Sequence, residues 1–336
     1  MKRKHQVTHE DGVGRIHRPG QVHPVMVSVA AVAFGAGLSI IASGALGAAS
    51  SLSAAAALAQ DVSAVEIKAT QLSDTVHLLE PVPGLAGNLA VSAGDDGILL
   101  VDTDLMPLTE RIKAAIENIQ SGKVDFMVNS HYHYDHAGGN AAFGLESLIV
   151  AHESIRRRLM EGREAGSRFI TTTRPVEALP ILTFKENVTL HWNGESIDMI
   201  HTPNPSHTDG DTVIFFRDSN VIHTGDQYVN LGGFPYIDRD VGGNALGLRD
   251  NIAVVLGMID DDTKIIPGHG PLATKAELQH FHAQVAESID HIERAKQSGK
   301  TLEEVQSAGL PEKFATYTGF MPEASWIQFV YASLES

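Results

Sequence analysis

The chain reads as an α/β protein in which two sheets pack face to face under a cover of helices. Three observations predict this. Apolar runs of strand length recur through the middle of the sequence, amphipathic segments of helical period interrupt them, and several such segments close the chain. Strands and helices mixed in this order suit two stacked sheets with helices outside.

The elements follow in order. Val76–Leu79, Asn88–Ser92 and Ile98–Asp102 have strand character, and an amphipathic helix is predicted from Leu108 to Gln120. Val124–Asn129 is the next strand and leads straight into an unusual hexapeptide. Further strand patterns lie at Ser147–Ala151, Ile181–Phe184, Val188–Trp192, Ile197–His201, Thr212–Phe216 and Val221–Thr224. A helix near Ala245–Gly257 and a strand at Lys264–Pro267 precede a helical tail, with segments at Ala273–Lys296, Leu302–Ala308 and Glu323–Leu334. The stretch from Arg156 to Pro180, rich in Arg and Thr, reads as an insertion that is either a lid or a surface excursion.

The hexapeptide is His131-Tyr132-His133-Tyr134-Asp135-His136. Three imidazoles and a carboxylate in six residues exceed what packing requires. In an extended segment the side chains of His131 and His133 point the same way and can share a metal. A helix beginning just after them would turn Asp135 and His136 toward a second ion, and two-metal hydrolytic sites hold their ions roughly 3.5–4 Å apart. Each metal needs about four donors, so more must come from downstream. Three candidates fall at strand ends: His207 in a polar loop, Asp226 closing Val221-Ile222-His223-Thr224-Gly225-Asp226, and His269 between two glycines. Loops fed by rigid strands give ligands a fixed direction. His77, His152, His191, His201, His280, His282 and His291 read instead as surface or hydrogen-bonded groups, and His223 as a packing or supporting residue. Asp102, Asp209 and Asp211 suit a turn cap as well as a ligand-orienting carboxylate.

On these residues the chain resembles the metallo-β-lactamase superfamily over roughly Val76 to Pro271. Asp102 fits the first motif of that family, His131, His133, Asp135 and His136 the second, His207 the third, Asp226 the fourth and His269 the fifth. The resemblance implies an αββα sandwich of two mixed sheets, with the site along one edge. It assigns His131, His133 and His207 to a first metal, Asp135, His136 and His269 to a second, and Asp226 to a bridge between them, with Asp102 behind the ligands. Five imidazoles and two carboxylates suit two zinc ions per chain, and the same donors accept iron or manganese.

Two cations lower the pKa of a shared water, so a hydroxide can attack an acyl C–N or C–O bond near neutral pH, with Asp135 as the catalytic carboxylate that holds its proton. The serine elbow, P-loop and zincin motifs are missing from the sequence. The expected substrate is a small molecule with a β-lactam or lactone ring. A thioesterase of glyoxalase II type is the alternative, since the ligand set resembles that group. A single-iron persulfide oxidant and a noncatalytic metal-binding protein stay open. The apolar loops at 81–87 and 231–236 are expected to wall the pocket, with Tyr228, Asn230, Phe234 and Tyr236 as substrate contacts.

The N-terminal stretch carries Lys2, Arg3, Lys4, Arg15 and Arg18, and no charge follows from Val25 to Gln60. With Ala57-Leu58-Ala59 at its end, this fits an export leader over residues 1–59, cleaved after Ala59, and a periplasmic or secreted domain over 60–336. An uncleaved membrane anchor is the alternative. Removing five basic and two acidic residues takes the formal charge from −16 to −19, which disfavours nucleic acid and anionic membrane as partners. The chain has no cysteine, so neither disulfides nor thiolate ligands contribute. Oligomeric state is left open.

Overall fold

The computed structural model describes residues 62–83, 86–162, 173–317, 319 and 321–335. The proposed leader and residues 163–172 of the proposed lid lie outside the described residues. None of the described helices is long and apolar enough to cross a membrane.

Strands β1 (Glu66–Gln71), β2 (Val76–Val82), β3 (Leu89–Gly94) and β4 (Gly97–Val101) form an antiparallel meander. Helix α1 (Thr109–Ile119) then crosses to β5 (Val124–Val128), which pairs parallel with β4. Two short helices, α2 (Tyr134–Ala137) and α3 (Asn140–Phe143), lead to β6 (Leu148–His152). Helix α4 (Glu153–Glu161) precedes β7 (Leu182–Phe184), which completes a seven-stranded sheet in sequential order. The second sheet has the order β12-β11-β10-β9-β8 and consists of β8 (Asn187–Trp192), β9 (Glu195–His201), β10 (Thr212–Phe216), β11 (Val221–His223) and β12 (Lys264–Ile266). Helix α5 (Ala245–Met258) joins the parallel strands β11 and β12, and α6 (Lys275–Gln297), α7 (Leu302–Ala308) and α8 (Glu323–Ser333) end the chain.

The apolar runs are continuous because both faces of the central strands are covered. In β4, Ile98 and Leu100 pack toward α1 with Ile112 and Ile116, while Leu99 and Val101 face the other sheet. In β10, Ile214 and Phe216 meet that inter-sheet layer, and Val213 and Phe215 face the terminal helices. Three apolar layers therefore separate helix, sheet, sheet and helices, which is the expected αββα sandwich. Helices α6 and α7 open with capping boxes, Thr274 with Glu277 and Thr301 with Glu304, which satisfy N-terminal amides that would lack partners.

The two sheets are also joined by polar contacts at both ends. At one end Asn88 donates from its side chain to the carbonyls of Pro267 (2.9 Å) and Gly270 (2.8 Å), and the Thr212 amide donates to Ser130 O at 2.9 Å. At the other, buried Glu195 accepts from Thr75 Oγ1 at 3.2 Å and from the Asp218 amide at 3.0 Å. Three elements go beyond the sequence expectation, β1, α3 and α4. Helix α4 occupies the start of the expected insertion, with Arg157 and Arg158 paired to Asp209 at 2.6 and 2.8 Å.

Candidate metal centre

The parallel pairs β4–β5 and β11–β12 end at the same edge of the sandwich, so the residues just beyond them converge. Asp102 follows β4, the hexapeptide follows β5, Asp226 follows β11 and His269 follows β12. His207 enters from the loop between β9 and β10. The chain bends through His131 and His133, and α2 starts immediately after His133, so Asp135 and His136 stand in its first turn.

These seven residues meet. One atom from each of His131, His133 and His207 falls within 4.8 Å of the others, and the same holds for Asp135, His136 and His269. His207 Nε2 lies 2.9 Å from His133 Nδ1, and His136 Nε2 lies 3.4 Å from His269 Nε2. Asp226 stands between the sets: its carboxylate reaches His207 Nε2 at 3.5 Å, His136 Nε2 at 3.1 Å and His269 Nε2 at 3.3 Å. Its Oδ1 nevertheless has no hydrogen bond, and neither has the buried Nε2 of His131. Two glycines allow this closeness. A Cβ on Gly268 would sit 2.0 Å from Asp226 Oδ1, and Gly225, at φ 52°, would bring one within 2.9 Å of Ser130.

The outward nitrogen of every imidazole is held by an acceptor. His136 Nδ1 donates to Asp102 Oδ2 (2.8 Å), His133 Nε2 to Asp238 Oδ2 (2.9 Å), His207 Nδ1 to Tyr236 O (2.7 Å) and His269 Nδ1 to Ala86 O (3.2 Å). Ser130 Oγ gives its proton to Asp102 Oδ2 at 2.6 Å, so it accepts from His131 Nδ1 at 3.1 Å. Each ring thereby presents a lone pair inward, the arrangement expected of metal-ligating histidine. The field agrees. Burial pulls His269 down, but Asp226 and Asp135 hold it up at about 10; burial pulls His136 down too, and Asp226 and Asp102 hold it well above the usual imidazole range. Burial raises Asp135, yet its bond to His269 and the charge of His136 bring it to about 2. His131 and His207 are instead lowered, chiefly by burial; the carboxylates that draw protons onto His136 and His269 draw cations for the same reason, and the donor set fits metal.

Asp102 takes φ 61° in the turn after β4, which aims its carboxylate under His136 and at the Ser130 amide (2.7 Å). Asp211 braces the His207 loop by accepting from Ser206 Oγ (2.6 Å) and the Thr208 amide (2.8 Å), while Asp209 serves the α4 arginines. His223 supports the strand end, with Nε2 3.1 Å from Asn88 O. Two buried carboxylates escaped the sequence reading. Asp104, at φ 55°, is pushed up to about 8 chiefly by burial, and its Oδ2 has no partner. Asp238 is fully buried and sits behind His133. Nothing local marks either one, since their surroundings are set by the tertiary fold.

The cleft above the ligands is lined by Val229, Leu231 and Tyr236 together with His133, Asp135, His207, Asp226 and His269. Of the four aromatic or polar contacts expected from the sequence, Tyr236 is therefore in place. Phe234 is not: it stacks on Trp326 of α8 with centroids 4.6 Å apart, because a large ring in this loop gains more from the core than from the cleft. Tyr228 packs on Phe281 at 4.9 Å, and Asn230 donates to Pro271 O at 3.0 Å; both border a separate hollow beside α6.

Comparisons with known proteins agree with this geometry. Hydroxyacylglutathione hydrolase from Polaromonas sp. is 27% identical over 168 residues, 48% of this chain and 55% of that protein, so the chain spans about half the length of this curated relative. Among solved structures, a metallo-beta-lactamase from Pontibacter korlensis superposes with a TM-score of 0.54 at 16% identity, covering 66% of this chain and 99% of the other. The stereoselective inverting sec-alkylsulfatase Pisa1 from Pseudomonas sp. gives 0.59 at 17% identity, covering 79% of this chain and 50% of the other. At such identities the structural likeness shows the fold. The family profile described as the metallo-beta-lactamase superfamily matches residues 82–269, and with the sandwich and its His/Asp edge the chain belongs to that superfamily.

Proposed function

We propose that the protein is a binuclear zinc hydrolase that opens an acyl C–N or C–O bond, with a β-lactam or lactone ring as the substrate. The observation that carries this reading is the position of Asp226, within 3.5 Å of ligand nitrogens from both triads. His131, His133 and His207 would hold one ion, Asp135, His136 and His269 the other, and Asp226 both. When bound, the ions polarise a carbonyl and make a water acidic enough to be a nucleophile at neutral pH.

The chain's own groups do the rest. Asp135 lies partly open to the cleft, and its carboxylate, ionised above about pH 2, can accept and hold the proton of the attacking water. Tyr236 closes one side of the cleft, and Val229 and Leu231 offer apolar contact to a ring. No lysine or arginine lines this cleft among the described residues, which favours a neutral or weakly polar acyl group. A glyoxalase II-type thioesterase is the second reading, supported by the hydroxyacylglutathione hydrolase relative.

Metal analysis of the purified protein, followed by nitrocefin, lactone and thioester assays, tests these readings. Two zinc ions and ring opening support the first, thioester turnover alone supports the second, and one iron with oxygen consumption on a persulfide overturns both. We also hold to export, with cleavage after Ala59. N-terminal sequencing of protein from the producing cell checks it: a start at Gln60 is expected, and an intact N-terminus refutes cleavage.

A further inference from the structure

Two buried carboxylates brace the centre in different ways. Asp102 serves one ligand of each half, binding His136 directly and His131 through Ser130. His133 and His207 rest instead on residues 236–238. There the Tyr236 carbonyl receives the His207 Nδ1 proton at 2.7 Å, the Asp238 amide donates to His207 O at 2.9 Å, and Asp238 Oδ2 accepts from His133 Nε2 at 2.9 Å. Tyr132, between the two ligating histidines in sequence, turns its hydroxyl onto that same Asp238 oxygen. Asp238 is fully buried, and its carbonyl is tied by the Gly243 amide at 2.8 Å. Gly243 packs so close that a Cβ there would meet His207 O at 2.6 Å and Asp238 O at 2.8 Å.

We infer that Asp238, steadied by Tyr132, is a positioning residue that sets the affinity of the metal held by His131, His133 and His207. It rests on the two-ion reading proposed above. Physically, a carboxylate accepting from Nε2 fixes His133 in the tautomer whose Nδ1 lone pair faces inward, and makes that nitrogen a stronger donor. It also places a negative charge one ring away from the cation without occupying a coordination position. Within its triad His133 draws on a direct carboxylate partner outside the centre, so Asp238 acts on that half, whereas Asp102 reaches a ligand of each.

The test is stepwise zinc binding by chelator competition on the full-length protein, for wild type and for Asp238→Ala, Asp238→Asn and Tyr132→Phe. Asp238→Ala should weaken one of the two ions by about 10–100-fold and leave the other within about threefold. Asp238→Asn, whose amide oxygen still accepts from His133, should recover part of that loss, and Tyr132→Phe should show a smaller loss of the same ion. Saturating zinc should restore turnover to Asp238→Ala. A merely structural role would instead lower the melting temperature of the metal-free protein and leave zinc affinity unchanged, which overturns the inference. Equal weakening of both ions overturns it as well. Should Asp238→Ala fail to fold, Asp238→Asn and Tyr132→Phe decide: unchanged affinity in both refutes the role. A wild type that binds one ion refutes the two-ion reading, and if Asp238→Asn and Tyr132→Phe leave that ion's affinity unchanged the inference falls with it.

Discussion

Asp135 and His136 are neighbours in sequence with separate tasks. His136 is fully buried and pinned by Asp102, whereas Asp135 stands partly open to the cleft and touches the outside world. Asp135→Asn should therefore cut kcat by about 10²–10⁴-fold while both ions stay bound, because the amide still coordinates and cannot take a proton. Elemental analysis beside steady-state kinetics checks this, and unchanged turnover would remove Asp135 from the chemistry. Away from the metals, His152 stacks on His201 at 3.8 Å, and burial with the His201 charge lowers it to about 4. A histidine held neutral in the fold stabilises above its unfolded pKa near 6.5, and that stability is lost as pH falls from about 6.5 to about 4. His152→Gln should flatten that part of the stability curve, measured as the wild-type minus variant melting temperature with pH. At this scale the seven donors were legible because so many imidazoles and carboxylates at strand ends serve no packing need. Asp238 was not, since its hydrogen-bond partner His133 is 105 residues away and Tyr-Ile-Asp reads as an ordinary turn.

Periodicity revealed the elements that bury an apolar face and missed those that do not. Strand β1, Glu-Ile-Lys-Ala-Thr-Gln, has no buried residue and pairs only with β2, so it left no apolar trace in the sequence. Helix α4 hides behind three consecutive arginines, two of which pair with Asp209. The loop after Asp226 shows the same limit from the other side. Without a period, nothing in 228–236 says which aromatic faces the cleft, and the answer is decided by α8, whose Trp326 takes Phe234. Phe234→Ala should thus behave as a core deletion, costing about 3–5 kcal/mol in a denaturant melt. The KM and the metal content of the folded fraction should stay unchanged, and a raised KM with full stability would return Phe234 to the pocket.

For the whole molecule, the donors divide by sheet. Four of the seven come from the large sheet's edge and three from the small sheet's, so the ions proposed above would clasp the open seam of the sandwich. An ion present at 1,000 times its Kd would add about 4 kcal/mol to the folded state. Chelation should lower the melting temperature accordingly. The distant seam is fastened without metal, by Glu195 of the small sheet, held by the Asp218 amide of its own sheet and accepting from Thr75 of the large one. Stripping the ions should consequently make the protein gape like a purse still stitched along its base: hydrogen exchange should quicken at the Asn88 and Thr212 amides and hold steady at Asp218. The ions would then be the fastener whose release decides when the two leaves come apart, and uniform quickening at both seams would contradict it.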